Sequence, residues 1–293
     1  MPSLSLIPVI LHEIFAKRTL PREPEPNLVM DDPQQVSAFV AAGRIDGVMA
    51  AAYQFHSARI SMVIQGCNTV LDLGCGPATQ LCQVAALNPD ISFIGVDLSS
   101  NMLENAKQYA QSLGIRNIEF KLADITKLED FSDNSMDAII STMTLHHLPT
   151  LQHLTDCFAS INRVLKPDGA LYLTDFGRLK SLKSVIYFAY MNTTNQPHIF
   201  TLDYERSLRA AFLKEEFESL TTVNLPKQVE LFSTYLVPFL VIVKTEDKPI
   251  SNDILEKIHF MYQQLPAQYR KELDSLRFFL RLDGLRNDPF ILN

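Results

Sequence analysis

The sequence has 293 residues, of which 47% are hydrophobic and 20% are charged, and its formal net charge is −7 at pH 7. This composition is typical of a globular protein and excludes a disordered or fibrous chain. The length suffices for one sizeable α/β domain with added elements or for two small domains. Basic residues are scattered, and no run of five or more occurs. Because nucleic-acid binders usually concentrate Lys and Arg to replace the counterions of phosphate, we expect no nucleic-acid partner.

Cysteine usage and hydropathy set further limits. The four cysteines form no C-x-x-C pair and no Cys/His spacing of the zinc kind, so we predict reduced thiols, a cytoplasmic location and no metal. No apolar run reaches the roughly 18 residues that a membrane span needs, which predicts no membrane partner. The apolar N-terminus is interrupted by Pro8, His12 and Glu13. It therefore predicts a packed helix or strand rather than a signal peptide.

A proline-rich segment and then a helical region precede the first predicted strand. Residues 19–33 hold four prolines, which a regular helix does not tolerate, so we predict an extended connector there. Asp32 and Pro33 then supply a cap and a first-turn residue for a helix. Apolar spacing up to about residue 65 indicates further helical structure.

From residue 68 to residue 176, strand patterns alternate with helix patterns. Short apolar runs such as TVLDLG and SFIGVDL are followed by amphipathic segments such as SSNMLENAKQYAQSLG. Ser99 or Ser100 would cap this last helix, and Gly114 would end it. Short connections between alternating elements predict parallel strands joined by right-handed crossovers. The predicted fold is α/β, a Rossmann-like doubly wound, mostly parallel sheet with helical N-terminal and C-terminal additions.

The pattern is less regular after Gly177. We interpret residues 180–200 as an aromatic, irregular segment and residues 202–220 as one helix with a charged face. One or two closing strands follow, and two helices separated near Pro266 complete the chain. The predicted division is an N-terminal extension (1–66), a core (67–245) with a substrate cap inserted at about 178–222, and a C-terminal extension (246–293).

The turn after the first strand, in VLDLGCGPATQ, carries the first chemical signal. Gly74 and Gly76 let the backbone adopt dihedrals closed to other residues and approach a ligand closely, and Asp72 precedes them. A glycine-rich turn alone is weak evidence. Thr79 stands where a dinucleotide fingerprint needs its third glycine, so the pattern points away from nicotinamide and flavin cofactors.

Two further acids follow neighbouring strands. Asp97 closes the second strand 21 residues after Gly76, where a carboxylate can accept hydrogen bonds from both hydroxyls of a ribose. Asp124 lies at the end of the third strand, where it can accept from an adenine amine. The alternative for each is structural, since Asp97 could cap the following helix and Asp124 could close a loop.

With these motifs in register, the chain resembles the class I S-adenosylmethionine-dependent methyltransferases. Within that family it is most similar to the branch that contains the ubiquinone and menaquinone C-methyltransferases. The resemblance covers about residues 69–177, a little over a third of the chain. It implies S-adenosyl-L-methionine as the cofactor and methyl transfer to a small molecule by in-line displacement. The motifs that carry it are DLGCGPATQ, VDLSSNMLENAK, ADITKL, SMDAIISTMTLHHL and RVLKPDGALYLTDF.

The resemblance also implies a role for each matching residue. Tyr53 would bond the carboxylate of the cofactor, although a buried tyrosine of an Ala-rich helix is an equal alternative. Ala78 departs from the pattern, since many relatives have a third glycine there, and we expect its methyl group to tighten the loop slightly. The other expected cofactor contacts are Asp72, Gly74, Cys75 and Gly76 at the methionine end, Asp97 at the ribose, Leu98, Met102, Asp124 and Ile125 at the adenine, and Ser141 and Thr142 below the sulfonium.

His146 and His147 follow the fourth strand, at the edge where such sheets place ligands. An imidazole titrates near neutrality and could take a proton from the acceptor, so both are candidate catalytic residues. The alternative is that they pack or hydrogen-bond at the start of the next helix. Two other functions stay open at this point, namely a methyltransferase for protein or RNA and a non-catalytic cofactor-binding regulator. A homodimer also stays open.

Overall fold

The computed structural model describes residues 6–27, 32–44, 47–225 and 228–291, apart from the side chain of Pro33. Within them the strands form one seven-stranded sheet in the order β3-β2-β1-β4-β5-β7-β6. Strands β1 to β5 pair in parallel, and β7 is antiparallel to both β5 and β6. The predicted doubly wound, mostly parallel sheet is confirmed. The strands are β1 (Thr69–Leu73), β2 (Ser92–Asp97), β3 (Ile118–Leu122), β4 (Met136–Thr142), β5 (Leu165–Phe176), β6 (Glu230–Ser233) and β7 (Leu240–Lys244).

Helices cover both faces of this sheet. Successive residues of a strand point to opposite faces, so Val70 belongs to the hydrophobic cluster under α3, α4, α10 and α11, whereas Leu71 belongs to the cluster under α6 and α9. No described helix is both long and apolar enough to cross a membrane. The helices described are α1 (Ile7–Phe15), α2 (Pro33–Ala42), α3 (Ala50–Val63), α4 (Thr79–Leu87), α5 (Ser100–Ser112), α6 (Leu151–Val164), α7 (Leu182–Tyr190), α8 (His198–Ala210), α9 (Lys214–Asn224), α10 (Asn252–Gln264) and α11 (Ala267–Leu282).

Several predicted helix ends are confirmed. The Asp32 carboxylate accepts from the backbone N–H groups of Gln34 and Gln35 at the start of α2. Ser99 caps α5 by accepting from the N–H of Met102, and Gly114 takes a positive φ of 69° just past the end of that helix. Local side-chain chemistry therefore fixes these ends, as the sequence pattern indicated.

Two predictions for the segment after Gly177 are wrong. Residues 180–200 are not irregular, because they contain α7 and the start of α8. Residues 202–220 are not one helix, because α8 ends at Ala210 and α9 begins at Lys214. The intervening Phe212 is buried and forms a β-bridge with Gly177, and its carbonyl accepts from the N–H of Arg178. This tertiary pairing overrides a helical pattern that would otherwise run through.

A buried ion pair ties the end of the chain to the sheet layer. Arg59 of α3 is 2% exposed and contacts Asp247 at 3.0 Å, and it also donates to the carbonyls of Arg286 and Asn287. Lys244 of β7 contacts the same aspartate at 3.0 Å. Residues of α3, α10 and α11 also share one hydrophobic cluster. The domain boundaries stay a prediction, but this packing joins both predicted extensions to the core.

We predict that Arg59→Met lowers the free energy of unfolding by about 3 kcal/mol, because breaking a buried ion pair leaves the remaining partners under-satisfied. Urea denaturation followed by circular dichroism measures the change. Lys257→Met is the control, since Lys257 pairs with Asp253 at the surface and should change the free energy by under about 1 kcal/mol. Equal effects of the two substitutions would contradict this account of the buried pair.

Candidate functional site

The glycine turn between β1 and α4 docks onto the end of β2. The N–H groups of Gly74 and Cys75 both donate to the carbonyl of Val96, at 2.8 and 2.9 Å. The N–H of Gly76 donates to Oδ2 of Asp97 at 2.9 Å, and Oδ1 of Asp97 accepts from the N–H of Ser99 at 2.8 Å. Asp97 thus joins the turn, β2 and the start of α5. Asp97 therefore has the structural role that was its alternative. Each of its carboxylate oxygens still has a lone pair that can accept a hydrogen bond from a ligand.

Gly74 is required sterically as well as conformationally. Its φ is +70°, and a Cβ there would lie 2.0 Å from Cγ2 of Thr144. The Thr144 hydroxyl donates to the Gly74 carbonyl at 3.0 Å, so the turn and the segment after β4 are in direct contact. Ala78 also has a positive φ, 57°, and is fully buried. The alanine therefore fits the turn in the left-handed conformation that glycine usually supplies.

Two acids at this turn lie in a poorly solvated position. Burial raises the pKa of Asp72 to about 7, and the charge of Asp97 adds to the shift. Burial also raises the pKa of Asp97, against the hydrogen bonds that it accepts. Among the residues that the structure describes, no donor or cation contacts the Asp72 carboxylate. Two poorly solvated carboxylates that no described cation contacts favour a positively charged ligand, and a sulfonium with an α-ammonium group fits that requirement.

Other predicted cofactor residues are held by local contacts. Oδ1 of Asp124 accepts from the N–H and the hydroxyl of Thr126, and Lys127 lies 3.5 Å from Oδ2. The loop-closing alternative for Asp124 is therefore present in the structure. Ser141 is buried, and its hydroxyl donates to the carbonyl of Leu73 at 2.9 Å, which joins β4 to β1. Of the remaining three, Met102 and Ile125 are buried and Leu98 is exposed.

An apolar cavity of about 470 Å³ approaches this turn through Phe39, which lines the cavity and lies 3.9 Å from the Cβ position of Gly76. Tyr53 and Thr142 line it, and Tyr53 also packs close to Gly43 and is buried. Several aromatic side chains and both candidate histidines contribute to the wall. Of the predicted cofactor residues, Tyr53 and Thr142 share this cavity with the predicted cap, whereas the other ten do not line it. The aromatic lining residues are Phe39, Tyr53, Phe176, Tyr187, Phe188, Phe200, Tyr204, Tyr235, Phe239 and Phe279.

The two histidines are held by acids that sequence reasoning missed. His146 is buried, and its Nδ1–H and backbone N–H both donate to the Asp175 carboxylate, at 2.6 and 2.9 Å. His147 contacts Glu25 at 3.0 Å through Nδ1, and Nε2 of His146 lies 3.8 Å from the same glutamate. Glu25 also accepts from the hydroxyl of Ser207 at 2.8 Å. Of the two acids, only Asp175 had a position that the sequence indicated, since it is the next-to-last residue of β5 within LTDF.

The electrostatics make Glu25 and His147 an ion pair. Burial by itself would raise the pKa of Glu25, but the hydrogen bond from His147 and the charges of both histidines lower it to about 2. Burial by itself would lower the pKa of His147, but the hydrogen bond and charge of Glu25, with Asp175 and Asp97, raise it. Glu25 is thus ionised at neutral pH, and it orients the His147 ring through Nδ1.

Arg22 fixes the connector that brings Glu25 to the site. Its guanidinium donates to the carbonyls of His146, Leu148, Pro149 and Ala210, at 2.5 to 3.0 Å. It also lies 3.8 Å above the ring of Phe212, a favourable cation–π distance. Residues 19–27 contain neither helix nor strand, and residues 28–31 of the predicted connector lie outside the described residues. The contacts of Arg22 therefore hold this segment in a defined position at the edge of the sheet, although it contains no helix or strand.

Glu25, His146 and His147 also bring potential metal-ligand atoms within 4.8 Å of one another. The sequence does not indicate this cluster, because Glu25 is far from the two histidines along the chain. Each of the three groups already has a protein partner in the structure.

Comparisons with known proteins identify the family of the chain. A family described as a methyltransferase domain matches residues 65–226. The chain is 33% identical over 147 residues to phosphoethanolamine N-methyltransferase 3 of Arabidopsis thaliana, which covers 50% of this chain and 29% of the plant protein. It is 32% identical over 137 residues to the tRNA (guanine-N(7)-)-methyltransferase of Chloroflexus aggregans, covering 43% of this chain and 60% of that protein.

A solved structure has the same fold. The crystal structure of a SAM-dependent methyltransferase from Aquifex aeolicus superposes with a TM-score of 0.52 at 17% identity, over 73% of this chain and 98% of that chain. This chain spans under a third of the plant relative, so the similarity concerns the domain and not the whole activity. The chain belongs to the methyltransferase-domain family and has the class I fold that the sequence predicted.

Proposed function

We propose that the protein transfers a methyl group from S-adenosylmethionine to a small, largely apolar acceptor that carries an ionisable nucleophile. The observation that carries this proposal is the apolar cavity of about 470 Å³ with His146, His147 and Thr142 on its wall. That volume lies within the ordinary range of small-molecule sites. The family itself does not fix the acceptor, because one relative is named for phosphoethanolamine and another for tRNA.

Specific features favour a small acceptor over a macromolecule. The cap helices α7 and α8 and the N-terminal helix α1 contribute to the cavity wall. An acceptor must therefore fit into a space that these helices surround. A net charge of −7 without basic runs opposes binding to RNA. The shape and polarity of the cavity therefore support a small acceptor.

The cofactor site rests on residues at the ends of β1 and β2. When bound, S-adenosylmethionine supplies a methyl group that its sulfonium already activates. In the proposal, Asp72 faces the positive charge of the methionine end, with Gly74, Cys75 and Gly76 as its backbone wall and Tyr53 above them. Asp97 holds the ribose with its free lone pairs. Leu98, Met102, Asp124 and Ile125 would border the adenine, and Ser141 and Thr142 would lie below the sulfonium.

His147 is the proposed proton acceptor. Glu25 occupies its Nδ1–H, which leaves Nε2 of the neutral ring to take a proton from the acceptor nucleophile. Asp175 binds His146 in the same manner, and His146 packs against His147 with ring centroids 4.3 Å apart. We assign His146 to positioning and to the wall of the cavity. The cavity contributes by aligning the acceptor and excluding water.

The proposal assigns no metal to Glu25, His146 and His147. The methyl donor needs no Lewis acid, and Glu25 is already engaged by His147 and Ser207. We therefore expect dialysis against EDTA to leave turnover unchanged. Loss of turnover that returns with one divalent ion would contradict this assignment.

The acceptor class is tested with methyl-labelled S-adenosylmethionine and a fractionated cell extract. We expect the label to enter the small, organic-soluble fraction, with one S-adenosylhomocysteine formed for each methyl transferred. Label in protein or RNA would contradict the small-molecule acceptor. Cofactor binding without any turnover would instead indicate a non-catalytic regulator.

We predict that Gly74→Ala weakens S-adenosylmethionine binding at least tenfold, because the new methyl group collides with Thr144 and displaces the turn. Isothermal titration calorimetry measures the affinity. Gly66→Ala is the matched control: Gly66 also has a positive φ, 80°, but nothing lies within 4 Å of its Cβ position. It should cost stability only, about 1 kcal/mol. An affinity that survives Gly74→Ala would remove the turn from the cofactor site.

The next prediction concerns how cofactor affinity depends on pH through the carboxyl group of Asp72. Only the ionised carboxylate attracts a cation, and its pKa is raised to about 7, so the group protonates as pH falls below 7. We therefore expect cofactor affinity to drop about tenfold from pH 8 to pH 6 relative to Asp72→Asn, which lacks this titration. Calorimetry in matched buffers gives both curves. Parallel curves for the two proteins would show that Asp72 does not face the cofactor charge.

A third prediction concerns the Glu25–His147 pair. His147 acts as a base only when neutral, and its pKa is raised, so kcat/KM should rise with pH through a value above 6.5. Glu25→Gln removes the charge that raises this pKa and should move the rise to lower pH by about one unit. Glu23→Gln is the control, because Glu23 lies on the same connector but pairs with Arg209. Superimposable profiles for wild type and Glu25→Gln would exclude the pair from proton transfer.

A further inference from the structure

The surface beside the cavity is formed by two packed helices, α1 and α7. The carboxylate of Glu13, near the end of α1, accepts from the N–H groups of Lys180 and Ser181 at the start of α7. At their other ends, Leu6 of the α1 N-terminus and Met191 after α7 line the same cavity. The two helices therefore run antiparallel. We call them the α1–α7 pair.

The outward side of the α1–α7 pair is apolar. Ile7, Leu11, Ile14 and Phe15 of α1 are 50%, 47%, 51% and 76% exposed. Their spacing of four, three and one residues places them on one face of the helix. Leu182 and Ile186 extend this exposed apolar surface along the neighbouring helix, one turn apart.

Cations gather at one end of this apolar surface. Lys17 and Arg18 follow α1, and Lys180 and Lys183 lie at the start of α7; all four are exposed. No carboxylate pairs with any of the four among the described residues. Residues 177–202 contain no acidic residue, and residues 6–22 contain only Glu13, which is 1% exposed. This arrangement is unusual for a chain whose net charge is −7.

The inward side of the same helices belongs to the cavity. Val9 and Ile10 of α1 and Tyr187 and Phe188 of α7 line it. The α1–α7 pair thus presents apolar side chains both to the cavity and to the outside. A surface that docks here would lie next to the space proposed for the acceptor.

We propose that the α1–α7 pair docks onto the surface of an anionic lipid bilayer. Its exposed apolar residues would enter the headgroup boundary, and its four cations would face the negative lipid charge. Charge complementarity favours this occupant, since in a two-fold contact between copies the same patch meets itself and offers the four cations no opposite charge, whereas an anionic bilayer does. The inference stands apart from the proposed function, because docking requires neither cofactor nor turnover.

This mode differs from the membrane span that hydropathy excludes. A nine-residue helix is about 14 Å long, under half of a bilayer core, so α1 can lie only in the interface plane. Hydropathy predicts no membrane partner because it reports only segments long enough to span a bilayer. The exposed faces of α1 and α7 could be assigned only after their packing was known. Each cation near the surface should strengthen binding about fivefold at low salt.

Co-sedimentation with vesicles tests the proposal. Vesicles of phosphatidylcholine with 30% phosphatidylserine should bind the full chain at least tenfold more tightly than pure phosphatidylcholine, and 0.5 M NaCl should reduce binding strongly. Phe15→Ser and the double variant Lys17→Gln/Arg18→Gln should each weaken binding at least fivefold. Phe260→Ser and Lys107→Gln/Arg116→Gln are the matched controls, because these residues are exposed elsewhere.

The outcomes separate the occupants. Selective loss in the Phe15 and Lys17/Arg18 variants supports the bilayer, provided that their thermal unfolding matches wild type. No vesicle binding by wild type, or equal losses in the control variants, would overturn the proposal. So would self-association in sedimentation velocity that Phe15→Ser abolishes without lipid, since a second copy of the chain would then cover this face.

Discussion

The site depends on the docking of the glycine turn onto the end of β2. Four backbone groups make it possible: the N–H groups of Gly74, Cys75 and Gly76, and the carbonyl of Val96. Because Asp97 closes the last of these contacts, the residue that would bind the ribose also holds the turn that would surround the methionine end. The low solvation that follows raises the pKa of Asp72 and prepares the site for a cation. Local backbone geometry thus produces the electrostatic preference of the site.

The second half of the site comes from distant parts of the chain. The connector crosses the sheet edge, Arg22 fixes it on four carbonyls, and Glu25 reaches His147. The cap helices α7 and α8 close the cavity from the other side. In the proposed function, the core binds the methyl donor and the flanking segments select the acceptor. The proposed bilayer contact involves these same flanking segments. The helices that line the acceptor cavity would therefore also hold the protein on the bilayer surface.

The sequence predicted the parts of the fold that local patterns encode. Strands β1 to β4 and helices α4 to α6 follow from hydrophobic periodicity and caps such as Ser99. The ribose role of Asp97 stays a prediction from its interval to Gly76. The contact between Glu25 and His147 was not predicted, because the sequence of a proline-rich connector does not indicate which edge of the sheet the connector crosses. The break at Phe212 was missed because a long-range bridge to Gly177 overrides a helical pattern. Both errors involve contacts between residues far apart in the chain.

The most direct test of the account is the affinity of Asp97→Ala for S-adenosylmethionine, measured by calorimetry with circular dichroism as the check on folding. Asp97 holds the turn through Gly76 and Ser99 and is the proposed ribose contact, so the account predicts at least a hundredfold loss of affinity in a folded protein, about 2.7 kcal/mol. A folded Asp97→Ala protein that binds the cofactor as tightly as wild type would contradict it.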